Sequence, residues 1–236
     1  MPLYNSNLQI QINKDVIYKM VRGIYVITDT CLVPGRSHID VAGAALNGGA
    51  SIIQLRDKSK DDDELIKIGY EIRRLTFAAG ALFIINDRLE VALACDADGL
   101  HVGQEDRSAS ELRLMLPGKL LGVSVATPEE AARAQRDGAD YLGVGPVFET
   151  STKIDAGLPV GIHRIELARS ASGGLPIVAI GGINEGNIAE VARTGADSAA
   201  VISAIVCADD MTEATRRLVQ IWKNAKSEYQ PPTTNH

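Results

Sequence analysis

Cysteine is scarce in this chain of 236 residues: Cys31, Cys95 and Cys207 are an odd number and lack metal-ligand spacing. Neither a disulfide framework nor a thiolate metal centre organises such a sequence, and the three read as structural thiols in a reducing compartment. Positive charge is also short, with 24 Lys+Arg against 30 Asp+Glu and a net charge of -6. No global positive field would gather nucleic acid or an acidic membrane, so an anionic ligand must be held by local groups. No apolar run approaches the roughly 18 residues of a membrane span, and residues 1–14 lack the apolar stretch of a signal peptide. These absences lead to the expectation of a soluble cytoplasmic protein acting on small molecules, without nucleic acid or membrane partners; homo-oligomers are left open.

What is present is a sizeable apolar fraction, 45%, enough for one large core. Eight short runs rich in Val and Ile recur: residues 23–28 (GIYVIT), 51–56 (SIIQLR), 81–86 (ALFIIN), 99–103 (GLHVG), 120–124 (LLGVS), 141–145 (YLGVG), 176–180 (PIVAI) and 198–203 (SAAVIS). Helical periodicity fills the gaps, as in residues 62–79, where Leu65, Ile68, Ile72 and Leu75 fall on one face. Thr127-Pro128-Glu129-Glu130 predicts a capped helix start with a capping box, the helix running to Arg136. A phrase recurs before strands: Gly49-Ala50-Ser51, Asp96-Ala97-Asp98, Gly138-Ala139-Asp140 and Gly195-Ala196-Asp197. In three of the four a glycine can supply the left-handed helix end.

Eight strand-then-helix units with continuously apolar strands predict a closed parallel sheet, an α/β (β/α)8 TIM barrel of one domain, for which about 250 residues is typical. The competing fold, a doubly wound open sheet, lacks its glycine-rich turn after the first strand, where Thr28-Asp29-Thr30 stands. The expected organisation is an N-terminal extension over residues 1–22, partly helical over 16–22, a barrel over 23–225, and a polar mobile tail over 226–236.

Barrel active sites lie where strands end, and the residues there are unusually polar. Asp87 and Asp106 follow adjacent strands, and two hard carboxylates without His or Cys suit Mg²⁺ better than Zn²⁺. Arg56, Lys58 and Lys153 place three cations at the same mouth, the combination that neutralises a diphosphate. Gly181-Gly182 and Val201-Ile202-Ser203 follow the last two strands, where barrels often bind a phosphate. Each residue also has a plainer explanation. Asp87 and Asp106 are good helix caps, the cations are ordinary partners for Asp57, Asp61 and Asp155, and His101 fits a packed barrel residue better than a ligand. Convergence from many strands favours the site.

Together these residues resemble the thiamine phosphate synthase family, over nearly everything from residue 23 to about 225. Gln54-Leu55-Arg56-Asp57-Lys58 is similar to the stretch that holds the aminopyrimidine diphosphate there, with Asn86, Ser124 and Lys153 as further contacts. Asp87 and Asp106 match its two Mg²⁺ carboxylates. Thr150-Ser151-Thr152, Gly182 and Ile202-Ser203 match the thiazole phosphate site. The resemblance implies that Lys153, Arg56 and Lys58 act catalytically in a Mg²⁺-assisted transfer that joins the two substrates, with the C–O bond to diphosphate breaking first. It also implies that residues 146–159 form a lid. Two positions depart from the pattern, Ala126 where many relatives have histidine and Glu149 where proline or alanine is common. A thiazole tautomerase of the same fold usually carries that histidine. A regulatory barrel would be expected to lose the carboxylates or Lys153.

Overall fold

The computed structural model describes residues 20–150 and 161–229. In chain order the elements are β1 (Gly23–Ile27), α1 (His38–Asn47), β2 (Ile52–Leu55), α2 (Asp62–Ala79), β3 (Leu82–Asn86), α3 (Leu89–Ala94), β4 (Gly99–Val102), α4 (Ala109–Met115), β5 (Leu120–Val125), α5 (Pro128–Arg136), β6 (Tyr141–Val144), α6 (His163–Ala171), β7 (Ile177–Ile180), α7 (Ile188–Arg193), β8 (Ser198–Val201), α8 (Ser203–Val206) and α9 (Met211–Glu228). The strands pair in parallel in sequence order, and β8 returns to β1 through Gly23↔Ser198 and Val26↔Val201. The molecule is therefore a (β/α)8 barrel. The helix expected over residues 16–22 lies mostly outside the described residues, as does most of the tail. Residues 226–228 belong to α9.

The strands read as continuously apolar because a closed sheet buries both faces. Alternate residues serve different layers. Ile24, Val26, Ile53, Leu55, Phe83, Ile85, Leu100 and Leu142 pack outward against the helices, whereas Tyr25, Ile27, Ile52, Ile84, Leu120, Tyr141 and Val178 fill a smaller inner cluster. The inward set is more polar toward the strand ends, and that alternation aims the site residues.

Helix starts are set by short polar side chains. Ser37, Asp61, Ser108 and Thr127 each accept the N–H of the third residue of α1, α2, α4 and α5 respectively. At α5 the capping box is displaced: the Glu130 carboxylate takes the N–H of Ala126 at 2.6 Å, one residue before the cap. The recurring phrase before strands turns the chain as expected, with Gly49, Gly138 and Gly195 at positive φ. Asp96 takes the same conformation at φ 49, and Lys119 neutralises its carboxylate at 2.7 Å. No helix among the described residues is long and apolar enough to cross a membrane.

Candidate active site

The inward register brings the polar strand ends to one mouth. A cavity of about 440 Å³ opens there, lined by Gln54, Arg56 and Lys58 after β2, Asn86 and Asp87 at β3, His101 and Asp106 at β4, Ser124 in β5, and Thr150, Gly182, Ile202 and Ser203 from the far side. Leu55 faces the opposite way and is buried in the outer core. Asp57 also turns away from the cavity. Ser151, Thr152 and Lys153 lie outside the described residues, as does most of the expected lid.

Asp87 is not a helix cap. The residue before α3 is Arg88, which makes no side-chain capping bond, and Asp87 sits at φ 59, a left-handed conformation that Asp and Asn tolerate better than most residues. Asp106 does not cap α4 either, since Ser108 does so; its carboxylate accepts the N–H of Gly103 at 2.7 Å. The two carboxyl groups come within hydrogen-bond reach of each other. Burial, and then the charge of Asp106, push Asp87 up to about 6, while Lys58 and Asn86 pull it down. Two crowded carboxylates over a phosphate-sized space fit a divalent cation that keeps its remaining sites for water and phosphate oxygen. Among the described residues no group of three or more His, Cys, Asp or Glu side chains could hold a metal, so such an ion would rest on this pair.

Behind the cations lies a buried anchor. Asp57 accepts from Ser59 N at 2.8 Å and Ser59 Oγ at 2.6 Å, and lies 3.0 Å from His38 Nε2. His38 Nδ1 lies 2.8 Å from Thr28 Oγ1. Burial opposes ionisation of Asp57, but the bonds from Ser59 and His38 outweigh it and hold the carboxyl well below its ordinary range. The turn carrying Arg56 and Lys58 is thus pinned from behind by a charge that stays ionised.

Beneath the cavity floor, five side chains form a continuous chain. Gln54 Nε2 donates to Tyr25 Oη at 2.7 Å; Tyr25 Oη meets Tyr141 Oη at 3.2 Å; Tyr141 Oη meets His101 Nδ1 at 3.1 Å; and His101 Nε2 meets Ser124 Oγ at 2.9 Å. His101 is therefore a hydrogen-bonded barrel residue and also part of the cavity wall. Burial pushes both phenols above their ordinary value, so they act as neutral hydroxyls. Tyr25, Tyr141 and His38 escape a motif-based reading because they lie inside strands or at a helix start. For the two tyrosines the one sequence signal is a polar group at an inward position of an otherwise apolar run.

On the far side, Gly181 and Gly182 adopt φ 104 and 65. A Cβ at Gly182 would stand 2.4 Å from the Glu149 carbonyl oxygen, so the pair is needed where the β6 loop crosses the end of β7. Asn187 does not cap α7 through its side chain; it accepts from Asn184 N at 2.8 Å and donates to Gly182 O at 3.0 Å.

Residues 24–205 match the family described as Thiamine monophosphate synthase. The chain is similar to the thiamine-phosphate synthase of Chloroflexus aurantiacus, 51% identical over 83% of this chain and 90% of that one. A second such relative, from Methanospirillum hungatei, is 51% identical over 84% of this chain and 97% of its own. Among solved structures, the thiamine phosphate pyrophosphorylase from Pyrococcus furiosus superposes with a TM-score of 0.81 at 41% identity, covering 88% of this chain and 98% of that one.

Proposed function

The chain belongs to the thiamine monophosphate synthase family, and from that premise we propose that it joins 4-amino-5-hydroxymethyl-2-methylpyrimidine diphosphate to 4-methyl-5-(2-hydroxyethyl)thiazole phosphate, or to its carboxylated form, releasing diphosphate. Membership makes it a transferase. The observation that supports these substrates is the meeting of Arg56, Lys58, Asp87 and Asp106 with Gln54 and Ser124 in one cavity. A diphosphate and a polar ring need those two kinds of wall side by side.

In this reading Arg56 and Lys58 bind the diphosphate oxygens, and Lys153 adds a third cation. Asp87 and Asp106 would hold Mg²⁺, which when bound offsets charge on the leaving diphosphate. Gln54, Asn86 and Ser124 orient the pyrimidine. Leu55 and Asp57 act behind the wall, Leu55 by packing β2 and Asp57 by pinning the turn. Thr150, Gly182, Ile202 and Ser203, with Ser151 and Thr152, receive the thiazole phosphate across the cavity. Breaking the C–O bond first would leave a cation at the pyrimidine methylene, which the thiazole nitrogen attacks. That route asks the protein for charge stabilisation and alignment and needs no general base.

The test is direct. Purified protein is incubated with both substrates and Mg²⁺, each is omitted in turn, and thiamine phosphate is sought by mass spectrometry. Product that requires all three is the expected result. Folded protein that binds diphosphate yet makes no product would overturn the reading.

A further inference from the structure

The carboxylate pair at the cavity mouth stands on two unequal supports. Asp87 follows β3 directly, and its N–H donates to the His101 carbonyl of β4 at 2.9 Å. Asp106 stands on the loop between β4 and α4, where residues 104–108 are all exposed. A cleft of about 190 Å³ separates this loop from α5 and is lined by Asp106, Ser108, Glu130 and Arg133 among others. The Asp106 carboxylate therefore has open space behind it where a packed side chain would otherwise fix its distance from Asp87. Arg107 reaches Glu90 of α3 at 3.7 Å, an exposed pair of the kind that contributes little.

Gln104 spans that gap. The pairing of β4 with β5 ends at Val102↔Val123, and just beyond it Gln104 Nε2 donates to the Ser124 carbonyl oxygen at 2.6 Å. Gln104 Oε1 accepts from the Arg133 guanidinium. A backbone carbonyl can only accept and a guanidinium can only donate, so the two partners fix which end of the amide faces which. Arg133 lies in the last turn of α5, and Glu130 of the same helix takes the Ala126 N–H at 2.6 Å. With these two side chains α5 grips the loops on both sides of β5. Ser124 is part of the cavity wall, so the tether measures the Asp106 loop against the wall itself.

We propose that Gln104 and Arg133 are positioning residues that hold the loop of residues 103–106 against the end of β5, so that Asp106 is set opposite Asp87 in advance of a divalent cation. Gln104 makes the span, and Arg133 turns its amide to face Ser124. That the carboxylate pair receives a cation rests on the synthase reading. Charge alone argues for the opposite effect of a mutation: Arg133 is a cation on the same cleft as Asp106, and its removal should tighten the hold on a divalent ion. Positioning requires that its removal loosen that hold. The sign of the effect separates the two.

Gln104→Ala and Arg133→Met test this, two changes at exposed positions whose fold is checked by thermal unfolding. The first readout is affinity for inorganic diphosphate with and without saturating Mg²⁺. Wild type is expected to bind about tenfold or more tightly with the metal, and in either variant that gain should fall below about threefold. Affinity without metal should stay within about twofold, since Arg56 and Lys58 are untouched. The second readout is hydrogen exchange in ligand-free protein. The Gly103 amide, which donates to Asp106 at 2.7 Å, should exchange about tenfold or more faster in both variants. Adding Arg133→Met to Gln104→Ala should change neither readout further, because Arg133 acts through the amide. A gain from Mg²⁺ that survives or grows in the folded variants would overturn the proposal even where exchange quickens, and unchanged exchange would overturn it as well. If one variant does not fold, the other decides. A wild-type protein that binds diphosphate no better with Mg²⁺ would overturn the carboxylate pair as a metal site, and this proposal with it, whatever the variants do.

Discussion

Asp87 carries an unfavourable charge in the protein without a bound cation. Its folded pKa is raised from 3.8 to about 6 by burial and by Asp106. A raised carboxylate pKa contributes stability that is fully present below pH 3.8 and is lost as pH rises through about 6. Asp87→Asn removes the charge and suits the left-handed backbone at φ 59. In thermal unfolding without divalent cations at pH 7, the variant should gain about 1 kcal/mol, the full shift being discounted because the side chain is only half-buried. The gain should vanish near pH 3.8, and the stabilisation that Mg²⁺ plus diphosphate gives wild type should shrink. A loss of stability at both pH values would refute the charge argument. Lys153→Ala should lower turnover by about 100-fold or more with unfolding unchanged, since in the proposed reaction it removes a cation that would stabilise the leaving group; equal activity would remove the lysine from the mechanism. At this scale the sequence was informative where residues sit just past a strand, as Arg56 and Asp87 do. It was silent on Tyr25, Tyr141 and His38, whose importance depends on partners 116, 40 and 19 residues away.

Neighbouring elements are joined by a device that the recurring phrase only half revealed. Asp98, Asp140 and Asp197 each precede an even-numbered strand. Each accepts the backbone N–H of a residue in the preceding odd strand, Phe83 at 2.8 Å, Leu121 at 2.8 Å and Ile177 at 2.9 Å. Each also pairs with an arginine from the helix before that strand: Arg73, Arg113 and Arg169. One carboxylate thus ties a helix and two strands together at the end of the barrel away from the cavity. In the first pair of strands Ser51 stands in the aspartate's place and packs over Gly23, whose added Cβ would lie 2.5 Å from Ser51 Oγ. Strand boundaries and the α2 span were legible because period and capping are local. The clamp was not, because the arginine of each lies a full unit upstream. Asp140→Ala leaves Leu121 N without its partner and strips Arg113 of its counter-charge, with only the carbonyl oxygens of Gly138, Leu116 and Lys119 left to it, and should cost about 2–4 kcal/mol in urea unfolding. Diphosphate binding at the opposite end should be unchanged. A cost below about 0.5 kcal/mol would mean these pairs behave as ordinary surface salt bridges.

Closure of the whole barrel depends on contacts between the two ends of the chain. β1 pairs with β8, Ser198 Oγ donates to Gly23 O at 2.8 Å, and α9 lies across this seam, packed on α7 and α1. A ring of strands has no edge, so the seam is where closure can fail. The buried face of α9 presents Ala214, Leu218, Trp222 and Ala225, and Trp222 is the chain's single tryptophan. Its fluorescence therefore reports on the seam, while far-ultraviolet circular dichroism reports on the helices at large. If the barrel opens as one unit, urea transitions followed by the two signals should coincide. Trp222→Ala should shift the dichroism transition by about 3–5 kcal/mol, the cost of emptying a buried indole site. The cavity mouth is built from strand ends and loops that α9 does not line, so diphosphate affinity of the folded variant should stay within about twofold. A fluorescence transition in wild type that precedes the dichroism transition would show instead that α9 detaches from a barrel that stays closed without it.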